Sequence, residues 1–289
     1  MNTQSASTSS APVTLPSVAI LGAGSMGRAI LAGLLADHVT VAGGVRVTNR
    51  SAERASDFDA EPRVTAWVTS TDELANRHAV AGARIVILAV KPAQIAELAT
   101  EIADALDHDA IVVSVAAGVT CGTIEAALGG VGSVIRAMPN TPAAIRLGMT
   151  GLSAGASASD VDMQLVASVF ATVGDVLVVP EAQLDALTTI SGSGPAYVFY
   201  FIEQLEAAAI ARGFTAEEAA LLARSTFRGA SQYVIESGQN PTDLRRAVTS
   251  PNGTTERAIA AFDAADVRKI VDDATAASLA RARELAAGK

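Results

Sequence analysis

The stretch that decides the fold is "SVAILGAGSMGRAILAGLL", residues 17–35. An apolar run leads directly into Gly22, Gly24 and Gly27, spaced as G-x-G-x-x-G, and a helix-forming run follows. In such a unit the first glycine permits a tight turn, the second lets the backbone approach a pyrophosphate, and the third permits close helix packing. The helix N-terminus adds oriented N–H groups and positive potential. The stretch therefore predicts a dinucleotide-binding turn, which Ser25 and Met26 complete.

Similar apolar runs continue along the first part of the chain. Six β-branched runs alternate with Ala-rich helical stretches, namely "SVAIL", "GVRVTN", "RIVILAV", "AIVVSVA", "GSVIRAM" and "GDVLVV". This alternation predicts βαβ units and a parallel sheet covered on both faces. From about Pro180 onward the strand-like runs stop, and Thr215 and Glu218 have the spacing of a helix capping box. We therefore expect an α/β protein with a Rossmann-type domain over residues 17–180 and an all-helical domain over residues 181–289.

Composition narrows the class of protein. The chain has 289 residues, is 50% hydrophobic and carries a net charge of -9, so it can bury a large core and offers no basic stripe for nucleic acid. Residues 1–16 are rich in Ser, Thr and Pro and predict a disordered leader without a signal peptide. The apolar window 184–210 contains "SGSGP" and three carboxylates, which argues against a membrane span.

The single cysteine, Cys121, cannot form an internal disulfide, and this fits a reducing cytoplasm. A nucleophilic role is the less favoured reading, because no histidine lies near it in the sequence, and we expect a packed or helix-starting residue. His38, His78 and His108 are expected at the surface. The sequence predicts no metal site.

The end of the second Rossmann strand indicates the dinucleotide. NAD-binding proteins usually offer a carboxylate there, whereas this chain has Asn49, Arg50 and Ser51. An arginine beside amide and hydroxyl groups can pair with a 2′-phosphate, so NADPH is favoured and NADH stays possible. The alternative is a solvated arginine at the start of a helix.

Later strands also end in loops at the carboxyl edge of the sheet, where ligands of this architecture bind. Small residues in these loops leave room for a flat ring, and prolines fix the backbone direction. The loops are "AVKP", "SVAAGV" and "MPNTP", and the predicted cofactor contacts in them are Ala89, Val90, Lys91, Pro92, Ala116 and Gly118.

Six motifs together resemble one family. In order and separation, "GAGSMG", "VILAVKP", "SVAAGV", "RAMPNTPA", "SGSGPAYVF" and "VTSPNGTT" look like pyrroline-5-carboxylate reductase, over nearly the whole chain beyond the leader. The resemblance implies hydride transfer from NAD(P)H to 1-pyrroline-5-carboxylate, giving L-proline. It also implies that the helical domain is a dimerisation domain, a homodimer often assembled into a ring of dimers, and a pocket completed only in the dimer.

In this resemblance "SPNGTT", residues 250–255, is the substrate loop. A turn that feeds a helix N-terminus supplies unpaired N–H groups for a carboxylate. We expect substrate contacts from Ser250, Asn252, Gly253, Thr254 and Thr255, with the backbone N–H groups of the last three facing the carboxylate. By the family pattern the Thr255 hydroxyl contacts the ring nitrogen.

Two points about this loop stay open. Either threonine could instead simply cap the following helix. The family usually has glycine at the position of Asn252, and asparagine is the next most tolerant residue if positive φ is needed there.

Two other functions are compatible with the same plan. A related NADP-dependent hydroxyacid dehydrogenase would usually need a lysine in a mid-chain helix, whereas Lys91 and Lys269 lie elsewhere. A non-catalytic NADP sensor would have no need for a second small-anion site. The intact substrate loop therefore favours the imine reductase.

Overall fold

The computed structural model describes residues 11–286, and residues 1–10 of the expected leader and residues 287–289 of the helical domain lie outside them. The described strands are β1 (Val13–Leu15), β2 (Val18–Leu21), β3 (Val39–Val41), β4 (Val45–Asn49), β5 (Val64–Val68), β6 (Ile85–Leu88), β7 (Ile111–Ser114), β8 (Ser133–Met138), β9 (Gly148–Ala154) and β10 (Gly174–Val178). The described α-helices are α1 (Ser25–Leu34), α2 (Ala52–Ser56), α3 (Ala75–Val80), α4 (Ile95–Ile102), α5 (Cys121–Ala127), α6 (Asp160–Ala171), α7 (Glu181–Leu187), α8 (Gly194–Ile210), α9 (Ala216–Ser237), α10 (Pro241–Ala247), α11 (Thr254–Ala264) and α12 (Val267–Ala286).

Eight strands form one sheet in the order β10-β9-β8-β7-β6-β2-β4-β5. The strands β2, β6 and β7 are buried along their whole length, because helices cover both faces of the sheet. Alternate residues of β2 enter different cores: Val18 and Ile20 join one apolar cluster, while Ala19 and Leu21 join the other. All six predicted strands are present, and the α/β fold is confirmed.

The expectation of a fully parallel sheet is wrong at one edge. The strands from β5 to β8 are parallel, but β9 pairs antiparallel with β8, with Ile135 opposite Ala154. Between β8 and β9 lies only a short turn containing a 3-10 helix, Thr141–Ile145. A connection this short cannot make the crossover that a parallel neighbour needs. The last strand, β10, then pairs parallel with β9.

The expected leader is too long by several residues. The strand β1 lies within residues 1–16 and pairs parallel with β3, with Leu15 opposite Val41. Val13 donates its N–H to the carbonyl of His38 at 2.8 Å, and Leu15 is buried in the apolar cluster that contains Ile30. Val13 and Leu15 alternate with a polar residue, as in a strand, and this short segment is ordered although the surrounding composition is typical of a disordered chain.

From Glu181 to Ala286 every regular element is helical. The helix α9 begins with the predicted capping box: Thr215 accepts the N–H of Glu218, and the Glu218 carboxylate accepts the N–H of Thr215. The chain divides into two compact units, one formed by residues 194–277 and one by the sheet region with residues 278–286 of α12. Among the helices between residues 11 and 286, none combines the length and apolar character needed to cross a bilayer.

Candidate active site

The glycine turn after β2 has the geometry that its sequence predicts. Gly22 has φ +90°, and its N–H points to the carbonyl of Thr48 at 3.2 Å. A Cβ at Gly22 would lie 2.7 Å from Cγ1 of Val90, and a Cβ at Gly27 would lie 2.8 Å from the carbonyl oxygen of Gly22. At Gly24, the residue before α1, a Cβ would meet no protein atom within 4 Å. Only Gly24 therefore faces open space, which is the side from which a ligand can approach.

A cleft of about 1040 Å³ opens beside this turn, at the carboxyl ends of β2, β4 and β6. Eight of the predicted cofactor residues line it: Gly22, Gly24, Asn49, Arg50, Ser51, Ala89, Val90 and Lys91. Six do not, namely Ser25, Met26, Gly27, Pro92, Ala116 and Gly118. Of these, Gly27 packs α1 against the glycine turn, and Ala116 is buried in the core.

The wall of the cleft at the end of β4 is cationic and polar. Arg50 is exposed, Asn49 is buried, and Ser51 precedes α2 without using its side chain as a cap. Arg54, within α2, also lines the cleft. Sequence reasoning missed Arg54, because it belongs to no motif and its place depends on where α2 starts. Together the two arginines supply two guanidinium groups for an anionic ligand.

Carboxylates that sequence reasoning also missed line the cleft as well. They are Glu53, Asp72, Glu73, Glu97 and Glu101. Glu101 accepts a hydrogen bond from the Asn76 amide at 3.0 Å, and Asp72 accepts one from the backbone N–H of Leu74 at 2.9 Å. These single acidic residues lie on α2, before α3 and on α4, and no motif would have marked them.

The loop "SPNGTT" forms a tight turn before α11. Asn252 adopts φ +60°. The turn therefore does need a positive φ at this position, and asparagine tolerates that conformation. Gly253 donates its N–H to the carbonyl of Ser250 at 3.0 Å. A Cβ on Gly253 would lie 2.9 Å from the backbone carbonyl oxygen of Ser250 and 2.5 Å from its hydroxyl oxygen, so a side chain there would force the turn to shift.

Two expectations for this loop are corrected. First, neither threonine caps the helix: the N-cap of α11 is Gly253, and no side chain bonds to the helix start. Second, the Gly253 N–H is used inside the turn, so it does not face a ligand. Across residues 11–286, no acceptor is found for the N–H groups of Thr254 and Thr255. The helix start therefore keeps two of the three predicted donors.

The "MPNTP" loop is tied to the chain beyond α7. Its Asn140 is buried and donates its side-chain N–H to the carbonyl of Ser191 at 2.9 Å, while its amide oxygen accepts the N–H of Met149 at 2.8 Å. Ser191 belongs to a π-helical turn, Thr188–Gly192, that follows α7. The loop thus fixes the position of this turn against β9.

Cys121 is the first residue of α5 and is buried, as predicted for a packed, helix-starting residue. Burial is the main reason that its pKa rises to about 12, so the thiol stays protonated and is a poor nucleophile at neutral pH. His78 and His108 are exposed, and His38 is partly so. Between residues 11 and 286, the structure has no cluster of His, Cys, Asp or Glu able to hold a metal ion.

The unit formed by residues 194–277 exposes many apolar side chains. In α8, Phe199 is 62% exposed and Tyr200 is 59% exposed. Only Ala219 and Ala223 of this unit are buried. Exposed apolar area on this scale is typical of a surface that another protein chain covers.

Comparison with known proteins identifies the family of this chain. A family model described as pyrroline-5-carboxylate reductase dimerisation matches residues 181–285, and one described as NADP oxidoreductase coenzyme F420-dependent matches residues 17–118. Pyrroline-5-carboxylate reductase from Pseudomonas aeruginosa is 38% identical over 275 residues, which cover 95% of this chain and 98% of that relative.

Solved structures agree with this result. A pyrroline-5-carboxylate reductase from Coxiella burnetii superimposes with a TM-score of 0.85 at 38% identity, covering 93% of this chain and 97% of that one. Pyrroline carboxylate reductase from Plasmodium falciparum, solved with NADP bound, has the same fold, with a TM-score of 0.80 at 23% identity and coverage of 93% and 98%. The predicted resemblance and the nicotinamide dinucleotide as cofactor are confirmed, and the C-terminal region is a dimerisation domain. The chain belongs to the pyrroline-5-carboxylate reductase family.

Proposed function

We propose that this chain reduces 1-pyrroline-5-carboxylate to L-proline with a hydride from NADPH, as the last step of proline biosynthesis. The observation that carries the proposal is the presence of two distinct anion-binding features in a member of this family. One is the glycine turn and cleft at the sheet edge, and the other is the uncapped start of α11. A dinucleotide and a small carboxylate substrate require one feature each.

The cleft fits a dinucleotide. The open space at Gly24 leaves room for a pyrophosphate at the N-terminus of α1, and Arg50 and Arg54 supply positive charge for a 2′-phosphate. We infer that Asn49 and Ser51 add hydrogen bonds there and that residues 89–92 border the nicotinamide end. Ser25, Met26, Gly27, Ala116 and Gly118 complete our proposed cofactor region, with Gly27 acting through helix packing. When bound, the cofactor supplies the hydride. This arrangement favours NADPH over NADH.

Each of the five residues proposed to bind substrate in this loop has its own role. The N–H groups of Thr254 and Thr255 hold the substrate carboxylate, and the Ser250 hydroxyl lies at the mouth of the turn. Gly253 allows close approach of the backbone, and Asn252 sets the turn. The Thr255 hydroxyl accepts a hydrogen bond from the protonated ring nitrogen and thereby orients the imine carbon. No side-chain general acid is assigned, because the substrate can arrive protonated.

The wider organisation follows from the same family. We propose that residues 17–180 form the dinucleotide domain and residues 181–289 the substrate and dimerisation domain. We further propose a homodimer, assembled into a ring of dimers, in the cytoplasm. The exposed apolar residues of α8 support association, and a single buried cysteine suits a reducing compartment. Sedimentation equilibrium measures the oligomer, and a monomer at micromolar concentration would contradict it.

The direct test is NADPH oxidation, followed at the nicotinamide absorbance with and without 1-pyrroline-5-carboxylate. Substrate-dependent oxidation with L-proline as product is the expected result. NADPH binding without turnover, in a folded and oligomeric sample, would instead favour a sensor or a related dehydrogenase. A parallel assay with hydroxyacid and oxoacid substrates distinguishes these two.

A further inference from the structure

Glu256 turns back to the loop that precedes its helix. Its Oε2 atom accepts a hydrogen bond from the backbone N–H of Asn252 at 2.9 Å. We propose that Glu256 is a positioning residue, which holds the Asn252 turn so that the N–H groups of Thr254 and Thr255 face the substrate carboxylate. This inference rests on the proposed function, which it deepens by assigning a residue that does not itself touch substrate.

Two other helices of the chain show what is unusual at α11. The helices α6 and α9 begin with complete capping boxes, in which the N-cap hydroxyl and the third helical residue satisfy each other's backbone N–H groups; the pairs are Ser159 with Asp162 and Thr215 with Glu218. Glu256 is likewise the third residue of α11, but the N-cap is Gly253, which has no side chain. The Glu256 carboxylate accepts the N–H of Asn252, the residue before the N-cap, rather than that of the N-cap itself. The hydroxyl half of the box is missing, which leaves the helix N–H groups for another acceptor.

The Asn252 turn is the part of the loop that needs to be held. Asn252 is exposed and has φ +60°, a backbone conformation that costs free energy for residues other than glycine. Two hydrogen bonds close the turn: Gly253 N–H to the Ser250 carbonyl at 3.0 Å, and Asn252 N–H to Glu256. The second is the only one of the two made by a side chain, so it can be removed by substitution without changing the backbone.

The same contact also decides which donors the substrate meets. Because Glu256 occupies the Asn252 N–H, a bound anion is confined to the N–H groups at the start of α11. A glutamine at position 256 would still accept this hydrogen bond through its amide oxygen but would carry no charge. An alanine would remove the contact altogether. The two variants thus separate the hydrogen bond from the charge.

The test compares E256A and E256Q with the matched control E218A, which removes the equivalent carboxylate from the capping box of α9. Steady-state kinetics give kcat and KM, and hydrogen–deuterium exchange reports on the peptide covering residues 248–256. For E256A we expect KM for 1-pyrroline-5-carboxylate to rise about five-fold, as for one hydrogen bond lost at an exposed site, with kcat and KM for NADPH unchanged. Exchange in residues 248–256 should be faster. E256Q should have the KM and the exchange rate of the unchanged chain, and so should E218A.

The inference is overturned if E256A keeps the original KM, or if E256Q is as impaired as E256A. Should E256A fail to fold, E256D provides the second loss variant, since its carboxylate is one methylene shorter and cannot span the same contact. If the unchanged chain does not reduce 1-pyrroline-5-carboxylate at all, the proposed function fails, and with it the substrate role of Glu256. An active parent enzyme with an unaffected E256A rejects the role of Glu256 alone.

Discussion

The guanidinium Nη1 of Arg136 and the carboxylate Oε1 of Glu181 lie 2.9 Å apart, and they join β8 to the first helix after the sheet, α7. Arg136 is buried, and the same carboxylate oxygen accepts the N–H of Cys121 at 2.8 Å. Burial acts to raise the pKa of Glu181, but the Cys121 N–H and Arg136 outweigh it, so the pKa of Glu181 is lowered. The ionised form is therefore favoured in the folded chain.

This pair predicts a pH dependence of stability. A carboxyl group whose pKa is lowered by folding contributes stability above its unfolded value of 4.5, and that contribution is lost as the pH falls through the lower folded pKa. Because Glu181 is partly exposed, solvent screens the pair, and we expect E181Q to lose about 1 kcal/mol of unfolding free energy at pH 7. In urea unfolding at several pH values, the unfolding free energy of E181Q should fall less steeply as the pH is lowered. Parallel pH profiles for the two proteins would contradict this role.

Two of the glycines in the first turn should respond oppositely to alanine. In G24A the new methyl group meets no protein atom but projects where the cofactor pyrophosphate would bind. Folding should therefore be unchanged, and NADPH binding should be weakened at least about ten-fold. In G27A the methyl group meets the Gly22 carbonyl at 2.8 Å, which should cost about 1–3 kcal/mol of stability. Thermal unfolding and NADPH fluorescence titration measure the two effects. Equal melting temperatures for both variants would disprove the assignment.

Arg50 should control cofactor preference. R50A is expected to raise KM for NADPH about 10- to 100-fold, as for a lost charge-assisted hydrogen bond, and to change KM for NADH little. R63A is the matched control, because Arg63 is exposed and pairs with Glu61 outside the cleft. The ratio of kcat/KM for the two cofactors is the quantity to compare. A ratio that R50A leaves unchanged would assign Arg50 to the solvated surface.

Thr255 should affect turnover rather than cofactor binding. T255A removes the hydroxyl proposed to face the ring nitrogen, and we expect kcat to fall about 10- to 100-fold. The dissociation constant for NADPH should be unchanged. T275A, which removes a hydroxyl bonded to the Val271 carbonyl in α12, serves as a control of the same chemistry. Unchanged kcat in T255A would remove this residue from the mechanism.

The φ angle of Asn252 makes a separate prediction about stability. Because the residue lies at φ +60°, N252G should be tolerated, whereas N252A should lose about 1 kcal/mol of unfolding free energy. Chemical denaturation of both variants provides the comparison. If N252A is as stable as N252G, the turn adopts another conformation in solution.

Much of the fold could be predicted because buried parallel strands are continuous apolar runs. The strands β2, β6 and β7 have this pattern and were found. The strand β9 was not, since "GMTGLSA" contains two glycines and no regular alternation. Its antiparallel direction depends on the short connection after β8, which is a tertiary constraint. The edge strand β5 is only half-buried, so its sequence carries a weaker signal.

In the candidate site, the sequence predicts the motifs but not the hydrogen bonds of single atoms. The glycine turn was predictable because each glycine answers a steric requirement that the motif encodes. The use of the Gly253 N–H by Ser250, and of the Asn252 N–H by Glu256, was not predictable, since both depend on how the turn closes. Arg54 lacks a motif of its own and enters the cleft only because α2 starts where it does.

The scarcity of buried residues between 194 and 277 bears on how the chain folds. The sheet region holds two large apolar clusters, so we expect it to fold without association. The helical unit buries only Ala219 and Ala223 by itself, so we expect its exposed apolar side chains to be covered when the chain associates. Refolding from denaturant should accordingly show a fast step whose rate is independent of dilution. A slower step should follow, and its rate should rise with protein concentration.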